Sequence, residues 1–345
     1  MASCWRALAA QPGIDLWVGL YRLTASANAD FQESKILNGV NHTFFDPDKF
    51  GEELTPHVTK FQPDVVVLCG WHHPVFRNMP FVPELANCKF VMTMDTPWVG
   101  KTRQILGRFA YRGYFSRISR VVVAAERTWQ FARWLGFEER QLMRAMYSVD
   151  FDHFSPMLQA RKNLATGWPR QFLFMGRYAE EKALDVLVEA HARYSLEQQN
   201  PWTLACCGRG PLGHLLKARP NIVDHGFVQP EDAPKHLLNS GCFVLPSRYE
   251  PWGAVLAEAA AAGLPIICSE ACGGGLDLVQ HLYNGFRVAT NDPTHLAQAM
   301  SYIHEQHENL PIMGERSQQL ASPYSATEWA NRWETMLREL AHKTA

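Results

Sequence analysis

Residues 172–182 are Phe-Leu-Phe-Met-Gly-Arg-Tyr-Ala-Glu-Glu-Lys, and a helical pattern begins directly after them at Ala183. Four apolar residues in a row predict a short strand that is buried on both faces of a sheet. A glycine, an arginine and a lysine then follow at the carboxyl end of that strand, where ligands bind in open α/β sheets. Two cations beside the free N–H groups of a helix start suit a diphosphate. A solvated basic loop is the alternative for this stretch alone.

Similar apolar runs recur along the chain and alternate with helix-length amphipathic stretches. The predicted strands are Ile14–Tyr21, Val65–Cys69, Phe90–Met94, Arg120–Ala124, Phe172–Met175, Thr203–Cys207, Gly241–Leu245 and Pro265–Ser269. Helices are predicted between them, for example over Ala183–Gln198 and Ala254–Ala262. This alternation indicates an α/β protein with parallel sheets.

The length of 345 residues suggests two domains, since one domain usually holds roughly 100–200 residues. A polar seam near Phe151–Gly167 separates two similar α/β halves. We therefore expect an N-terminal Rossmann-like domain over residues 1–153 and a C-terminal one over residues 154–322. Residues 323–345 are expected to return to the first domain as a C-terminal helix.

The beginning of the chain departs from the usual Rossmann-like pattern. Trp5–Ala10 predicts a helix, and no opening strand with a glycine-rich turn comes before it. Either the chain starts late or that strand is absent by nature. Neither a signal peptide nor a membrane span is indicated, because no apolar run approaches the roughly 20 residues that a span needs. We expect a cytoplasmic protein, with peripheral attachment to the inner face of the membrane as one option.

Overall composition narrows the function classes. The formal net charge of −1 argues against a chain that binds nucleic acid through its whole surface. The eight cysteines form no C-x-x-C pair, so we expect buried free thiols in a reducing compartment. No acidic cluster is assigned to Mg²⁺, and neither a metal nor another cofactor is expected.

Three more predicted strands end in loops of the same kind. One loop begins with Gly208-Arg-Gly-Pro211, and another is the glycine-rich stretch Cys272–Asp277. Between them, residues 246–253 are Pro-Ser-Arg-Tyr-Glu-Pro-Trp-Gly and lead into a predicted helix. Because the carboxyl ends of parallel strands meet at one edge of a sheet, the four loops are expected to share one rim.

Two glutamates of this region stand eight positions apart. Glu250 lies in the loop, and Glu258 lies about two turns into the following helix. Gly253 allows the backbone to approach a ligand closely, while the helix start supplies free N–H groups and a dipole that favours a phosphate. A surface cap is the alternative role for Glu250.

These motifs resemble those of glycosyltransferase family 4, a large group of retaining enzymes with the GT-B fold. The matching pieces are Gly176-Arg177 with Lys182, Gly208-x-Gly210-Pro211, His225–Val228, the spacing from Glu250 to Glu258, and Glu258-Ala-x-Ala-x-Gly-x-Pro265. The match is close over Phe172–Val288 and holds only in outline before it. The resemblance implies two Rossmann-like domains that face each other across a cleft, and the start of the chain leaves open whether the first of them has its first strand.

The resemblance also implies an activity and roles for the matching residues. The chain would transfer a hexosyl unit from a nucleotide-diphosphate sugar to a glycan or lipid-linked acceptor, in cell-surface polysaccharide or glycolipid synthesis. Arg177 and Lys182 would hold the diphosphate, Glu250 would bind hydroxyls of the transferred sugar, and Glu258 would bind the ribose hydroxyls. The segment around Arg209–Pro211, with Phe227 and Val228, would line the base. Arg177, Lys182 and Glu250 are expected to be catalytic, together with Asp95. The implied donor-binding residues are Gly176, Arg177, Lys182, Gly208, Arg209, Gly210, Phe227, Val228, Glu250, Gly253, Ala254, Val255 and Glu258. Retention by a front-face reaction and retention through a covalent carboxylate intermediate both stay open.

The first half offers candidates for the acceptor side. Asp95 follows a predicted strand where many relatives have a histidine, and it could orient or deprotonate an acceptor hydroxyl. A helix cap or turn is its alternative role. The pair His72 and His73 follows another strand, and Trp98 lies just beyond Asp95. A metal at the histidine pair lacks an identifiable third ligand.

A basic stretch follows these candidates. No Asp or Glu occurs from Thr96 to Ala125, and six Lys or Arg residues are interleaved with aromatic residues over Lys101–Arg120. This mixture suits an anionic membrane surface or an anionic acceptor. The alternative is a solvated helix packed by its aromatic side chains. No nucleic-acid recognition module is present, so nucleic acid is not an expected partner.

Other functions remain open at this stage. An epimerase or a sugar phosphorylase could use the same fold, although the spacing of the two glutamates argues against an epimerase. A protein that binds the donor without catalysis is a third option. The donor base and the donor sugar are not predicted.

Overall fold

The computed structural model describes residues 1–21 and 36–342 of the chain. Contacts divide the chain into one unit made of Met1–Tyr147 with the segment from Ala326 onward, and a second unit, Ser148–Ser325. The sequence placed these limits after residues 153 and 322. The difference arises because the Val149 N–H donates to Tyr324 O at 2.8 Å, which holds both ends of the second unit together.

The first unit contains two parallel sheets and the helices around them. Its elements are α1 (Ala2–Ala9), β1 (Val18–Tyr21), β2 (His42–Phe45), α2 (Phe50–Phe61), β3 (Val65–Leu68), α3 (Pro74–Asn78), β4 (Lys89–Met94), α4 (Thr102–Ala110), α5 (Arg112–Phe115), β5 (Ile118–Val123), α6 (Glu126–Leu135) and β6 (Leu142–Arg144). Strands β1 and β2 pair with each other, and the second sheet has the order β3-β4-β5-β6. A C-terminal helix, from Ala326 to His342, completes this unit.

The second unit has one six-stranded parallel sheet. Its elements are α7 (Phe151–Phe154), α8 (Pro156–Lys162), β7 (Gln171–Met175), α9 (Leu184–Glu197), β8 (Thr203–Cys207), β9 (Ile222–Asp224), α10 (Ala233–Leu238), β10 (Cys242–Leu245), α11 (Ala254–Ala261), β11 (Ile266–Ser269), α12 (Gly275–Leu278), β12 (Gly285–Val288), α13 (Pro293–Glu305) and α14 (Leu310–Ala321). The strand order is β12-β11-β10-β7-β8-β9, which is the Rossmann order. The direction of winding reverses between β7 and β10.

The apolar runs of the second half form the centre of this sheet. All four residues of β10 and of β11 are buried, as are Phe172 to Phe174 of β7. A strand in this position is covered by helices on both faces, so its sequence is apolar at every position rather than at alternate ones. The predicted strands of this half therefore lie within one residue of the observed ones.

The last helix of the chain, α15 (Ala326–His342), packs against α1 in the first unit. Trp329 and Trp333 of α15 are buried together with Cys4 and Leu8 of α1. The Trp333 Nε1–H donates to Ala145 O at 2.7 Å. The helix is strongly amphipathic, and its apolar face is buried in that contact.

The structure also shows the state of the cysteines and the length and apolarity of the helices. All eight cysteines are free thiols, and six of them are buried. Within residues 1–21 and 36–342, the helices include none whose length and apolarity would let it cross a membrane.

Candidate functional site

The winding of the second sheet places two loops side by side. The loop of residues 176–182 leaves the carboxyl end of β7, and the loop of residues 246–253 leaves the carboxyl end of β10, the neighbouring strand. In open α/β sheets, the crevice between two such strands is where ligands bind, because the following helices lie on opposite faces. The residues predicted to hold the diphosphate and the sugar lie in these two loops.

Lys182 and Glu250 meet across this crevice. The Lys182 Nζ donates a hydrogen bond to Glu250 Oε2, and the two side chains are only 16% and 11% exposed. A charged pair so far removed from water is screened much less than a surface pair. The sequence predicted both residues for the donor site, but the sequence spacing could not show that they touch.

A fork of hydrogen bonds from Arg248 fixes the turn that carries Lys182. Its Nη1 and Nη2 donate to the two carboxylate oxygens of Asp185 at 2.9 and 2.6 Å, and Nη1 also donates to Glu180 O at 2.8 Å. The Arg248 backbone N–H donates to Glu181 O at 2.8 Å. The hydrogen bonds from Arg248 lower the pKa of Asp185. This arginine therefore joins the β10 loop to the start of α9, a role that the sequence analysis missed.

Arg177 takes a different direction from Lys182. Its Nη2 donates to Glu181 Oε1 at 2.6 Å, and its side chain is 62% exposed. Among the described contacts, Arg177 is paired with this glutamate four residues on rather than with Glu250. The structure therefore brings together Lys182 and Glu250, while Arg177 stays at the outer side of the loop.

The glycine turn after β8 fits closely against the loop after β7. A Cβ atom on Gly208 would lie 1.9 Å from Gly176 O, so only glycine is accommodated there. The Gly208 N–H donates to Gly226 O at 2.7 Å, which adds the segment after β9 to the same rim. Close contact between neighbouring loops thus explains this glycine without a ligand.

The residues predicted to line the base are partly assembled at this rim. The Arg209 guanidinium stands 5.2 Å from the centre of the Phe227 ring. Val228 is half-buried next to it in the chain, and Gly210 lies beside the Tyr178 backbone. A flat cation over an aromatic ring offers a stacking surface for a planar base.

Tyr178 connects the loop after β7 to β9 and to the loop after β8 by hydrogen bonds. Its hydroxyl donates to Asp224 Oδ1 at 2.7 Å, and its backbone N–H donates to Arg209 O at 2.9 Å. Burial, followed by the hydrogen bond to Asp224, raises the pKa of Tyr178 well above its usual value. The hydroxyl therefore stays protonated and keeps donating.

Glu258 projects from the second turn of α11 and is half-buried. Burial raises the pKa of its carboxyl group to about 7. Within the described part of the chain, this side chain has no hydrogen-bond partner. Gly253 begins the helix with a φ of +91°, a conformation that favours glycine, and Ala254 and Val255 form the first turn.

The loop after β11 supports Glu250 from the other side. The Gly273 N–H donates to Glu250 O, and the Gly274 N–H donates to Trp252 O, both at 2.8 Å. These bonds hold the main chain of the β10 loop at the two residues that flank Pro251. The prediction that the four loops share one rim thus corresponds to direct hydrogen bonds between them.

Asp95 lies at the carboxyl end of β4 in the first unit and is half-buried. Its Oδ2 accepts from the Tyr147 hydroxyl at 3.1 Å, and its backbone oxygen accepts from Thr128 Oγ1 at 3.2 Å. Burial raises the pKa of the nearby Cys69 thiol, and the Asp95 carboxylate adds to that effect. Asp95 is held by its neighbours and does not cap a helix.

The other acceptor-side candidates have contacts of their own. His73 caps α3, since its Nδ1 accepts from the Val75 N–H at 3.2 Å, and burial lowers its pKa. His72 is exposed beside it. Trp98 packs against Phe131 and Trp134, with ring centres 5.3 and 4.6 Å away. In the residues that the structure describes, no group of three or more His, Cys, Asp or Glu side chains could hold a metal ion.

The second unit matches a known family model over most of its length. Residues 158–320 match the family model of group 1 glycosyl transferases. The matched region contains Lys182, Glu250 and Glu258, and it ends just before the second unit does.

Curated relatives carry names of the same kind. An uncharacterized glycosyltransferase of Methanocaldococcus jannaschii is 28% identical over 182 residues, which cover 51% of this chain and 42% of that protein. A GDP-mannose-dependent alpha-(1-6)-phosphatidylinositol monomannoside mannosyltransferase of Mycobacterium tuberculosis is 26% identical over 214 residues, with coverages of 56% and 53%. The chain thus spans about half the length of these curated relatives.

The solved structure of Anabaena HepE in complex with UDP and glucose shares the fold of the whole chain. Its TM-score is 0.75 at 17% identity, over 98% of this chain and 96% of that one. This likeness confirms the prediction of an α/β protein with the GT-B fold, built from two Rossmann-like domains.

Proposed function

We propose that the chain transfers a hexosyl unit from a nucleotide-diphosphate sugar to a glycan or lipid-linked acceptor, with retention at the anomeric carbon. The contact of Lys182 with Glu250 at the switch point of the second sheet carries this proposal. A lysine and a carboxylate side by side there serve the two parts of such a donor, its diphosphate and its sugar hydroxyls. The match to the group 1 family includes both residues.

The charge that develops on the leaving diphosphate determines the role proposed for each residue. The bond between the anomeric carbon and the diphosphate oxygen breaks, and its electron pair stays on the diphosphate. Lys182 and the N–H groups at the start of α11 would stabilise that charge. Arg177 would join them after leaving Glu181, which its exposed position permits. Glu250 would accept hydrogen bonds from the sugar hydroxyls.

The acceptor completes the transfer on the same face of the sugar. Its hydroxyl oxygen forms the new bond to the anomeric carbon, and its proton passes to the departing phosphate oxygen. Asp95 would orient that hydroxyl. Glu258 would accept from the ribose hydroxyls, which would satisfy a carboxylate that otherwise lacks a hydrogen bond. We propose that Lys182, Arg177 and the N–H groups at the start of α11 stabilise the diphosphate without a metal.

Membership of glycosyltransferase family 4 and a role in cell-surface polysaccharide or glycolipid synthesis belong to the same proposal. The spacing from Glu250 to Glu258 supports the first. The name of the mycobacterial relative supports the second, since its acceptor is a lipid.

A donor screen tests the proposal. The chain is incubated with UDP-glucose and GDP-mannose first, because the names of the similar proteins mention UDP and GDP-mannose. The measurements are release of the nucleoside diphosphate, with and without EDTA, and the anomeric configuration of the product by NMR. An α-linked product from an α-donor, formed at the same rate in EDTA, is expected. A β-linked product contradicts retention, and donor binding without turnover across many acceptors would identify a binding protein.

A further inference from the structure

Helix α4 in the first unit has an unusual orientation. Ile105, Leu106 and Phe109, which we call the α4 face, are 41%, 66% and 70% exposed. On a helix with 3.6 residues per turn, they lie within an arc of about 100°. The apolar side of this helix therefore faces outward, which is opposite to the usual arrangement of a surface helix.

Polar contacts, not apolar ones, attach the inner side of α4. Gln104 and Gly107 are the buried residues of the helix. The Gln104 Nε2 donates to Pro97 O at 2.9 Å, and its Oε1 accepts from the Val99 N–H at 3.0 Å. A buried amide with two such bonds fixes the rotation of the helix. The outward direction of the α4 face is thus set by its buried side.

Cations surround this apolar face. Lys101, Arg103, Arg108 and Arg112 are exposed beside it, and no Asp or Glu occurs between Thr96 and Ala125. In the described chain, neither Lys101 nor Arg103 nor Arg112 contacts a carboxylate. Their charges are therefore available to an external anion.

We infer that the α4 face binds an anionic lipid bilayer, with Leu106 and Phe109 entering its interface. An apolar tip alone would also suit another protein, but a surrounding group of cations without neutralising carboxylates is complementary to a negatively charged membrane surface. The first unit has another exposed apolar side chain beside a cation, since Phe81 is 52% exposed and its ring centre lies 5.5 Å from the Arg117 guanidinium. This attachment goes beyond the proposed transfer and needs no donor.

Flotation with vesicles tests the inference. The full chain is mixed, without donor, with two kinds of vesicle. One contains phosphatidylcholine alone, and the other contains phosphatidylcholine with about 30% of the anionic lipid phosphatidylglycerol. We expect binding to the anionic vesicles only, and weaker binding at high salt. The double variant Leu106→Glu with Phe109→Glu should bind more than about tenfold more weakly, because burial of one large apolar side chain already corresponds to a factor of about ten.

Matched variants separate the two components of the contact. Leu196→Glu with Ile312→Glu changes two exposed apolar residues of the second unit, which are 88% and 48% exposed, and should bind like the original chain. Arg103→Gln with Arg112→Gln should reduce binding to the anionic vesicles, whereas Lys217→Gln with Arg219→Gln should not.

The inference is wrong if the original chain fails to float with anionic vesicles, or if the Leu106 and Phe109 variant floats equally well. A concentration-dependent dimer that this variant abolishes would instead assign the face to a second copy of the chain. Circular dichroism of every variant establishes that a loss of binding is not a loss of folding. Because no donor is present, the result is independent of whether transfer is observed.

Discussion

Lys182 donates a hydrogen bond to Glu250 although the two residues stand 68 positions apart in the chain. The contact exists because β7 and β10 are neighbours in the sheet and end at the same edge. Without a donor, each charge neutralises the other. A bound nucleotide sugar would have to replace this contact, with its diphosphate taking the lysine and its sugar taking the carboxylate.

The first prediction concerns Lys182→Ala. Loss of a charge-assisted hydrogen bond costs about 1.5–3 kcal/mol, so the affinity for a nucleoside diphosphate should fall more than tenfold. The unpaired Glu250 carboxylate would add repulsion. Calorimetry with UDP and GDP measures the change, and Lys217→Ala at an exposed position provides the control. Unchanged affinity in Lys182→Ala would remove the diphosphate role.

Glu250→Gln should separate binding from turnover. The amide keeps the size of the side chain but no longer neutralises Lys182, so the affinity for a nucleoside diphosphate alone should stay the same or increase. Turnover should fall by at least about a hundredfold, because hydrogen bonds to sugar hydroxyls that strengthen in the transition state contribute several kcal/mol. Steady-state kinetics and calorimetry on one preparation test this. Equal losses in both measurements would contradict a role at the sugar.

The Arg248–Asp185 pair should be coupled in stability and in donor binding. The two side chains are 26% and 48% exposed, so a double-mutant cycle of Arg248→Gln and Asp185→Asn should give a coupling of about 0.5–1 kcal/mol in the free energy of unfolding. The pKa of Asp185 is lowered in the folded state, so this contribution is present above the unfolded pKa and is lost as the pH falls through the folded one.

The same cycle measured on nucleotide affinity distinguishes positioning from simple stability. Arg248 holds the turn before α9 and therefore the direction of Lys182. Arg248→Lys keeps the charge but cannot form the two-pronged contact with Asp185. It should weaken nucleotide binding nearly as much as Arg248→Gln does. Full affinity in Arg248→Lys would show that charge alone is sufficient.

The central part of the second sheet could be predicted because burial controls its sequence. Thr203–Cys207 has the predicted bounds, and each of the other central strands begins or ends within one residue of its prediction. Two strands at the edges, β9 and β12, were not predicted. Strand β9 has one half-buried and two exposed residues, so backbone hydrogen bonds to β8 hold it and no apolar run marks it.

The first half was harder to predict for the same physical reason. Strand β1 covers only Val18–Tyr21 of a longer predicted run, and its partner β2, His42–Phe45, was missed because three of its four residues are half-buried. On α4, the sequence showed which residues are basic and aromatic. The exposure of Ile105, Leu106 and Phe109 and the buried position of Gln104 show that the apolar side faces outward, which the sequence did not indicate.

Partners across long sequence separations were also beyond prediction. Arg248 and Asp185 are 63 positions apart, and neither belongs to a motif that implies the other. Gly208 was assigned to the donor, yet its close approach to Gly176 O already requires a glycine. Motif spacing therefore identified the residues of the rim but not the contacts that hold them.

The last prediction concerns Glu258, whose pKa burial raises to about 7. An ordinary glutamate has a pKa near 4.3, so the folded state binds a proton between about pH 4.3 and 7 that the unfolded state has released. Stability must then decrease as the pH rises through this window, and above it the cost of the buried charge, up to about 4 kcal/mol, remains. Glu258→Gln removes that cost.

The difference between Glu258→Gln and the original chain should therefore favour the variant more at pH 8 than at pH 5. Denaturant unfolding at the two pH values measures it, and Glu197→Gln, at the exposed end of α9, controls for the loss of a helical carboxylate. The same variant should bind nucleoside diphosphates more weakly at pH 8, since an amide accepts fewer hydrogen bonds from ribose hydroxyls than a carboxylate does. A variant that gains stability but keeps full nucleotide affinity would leave Glu258 buried without a role at the ribose.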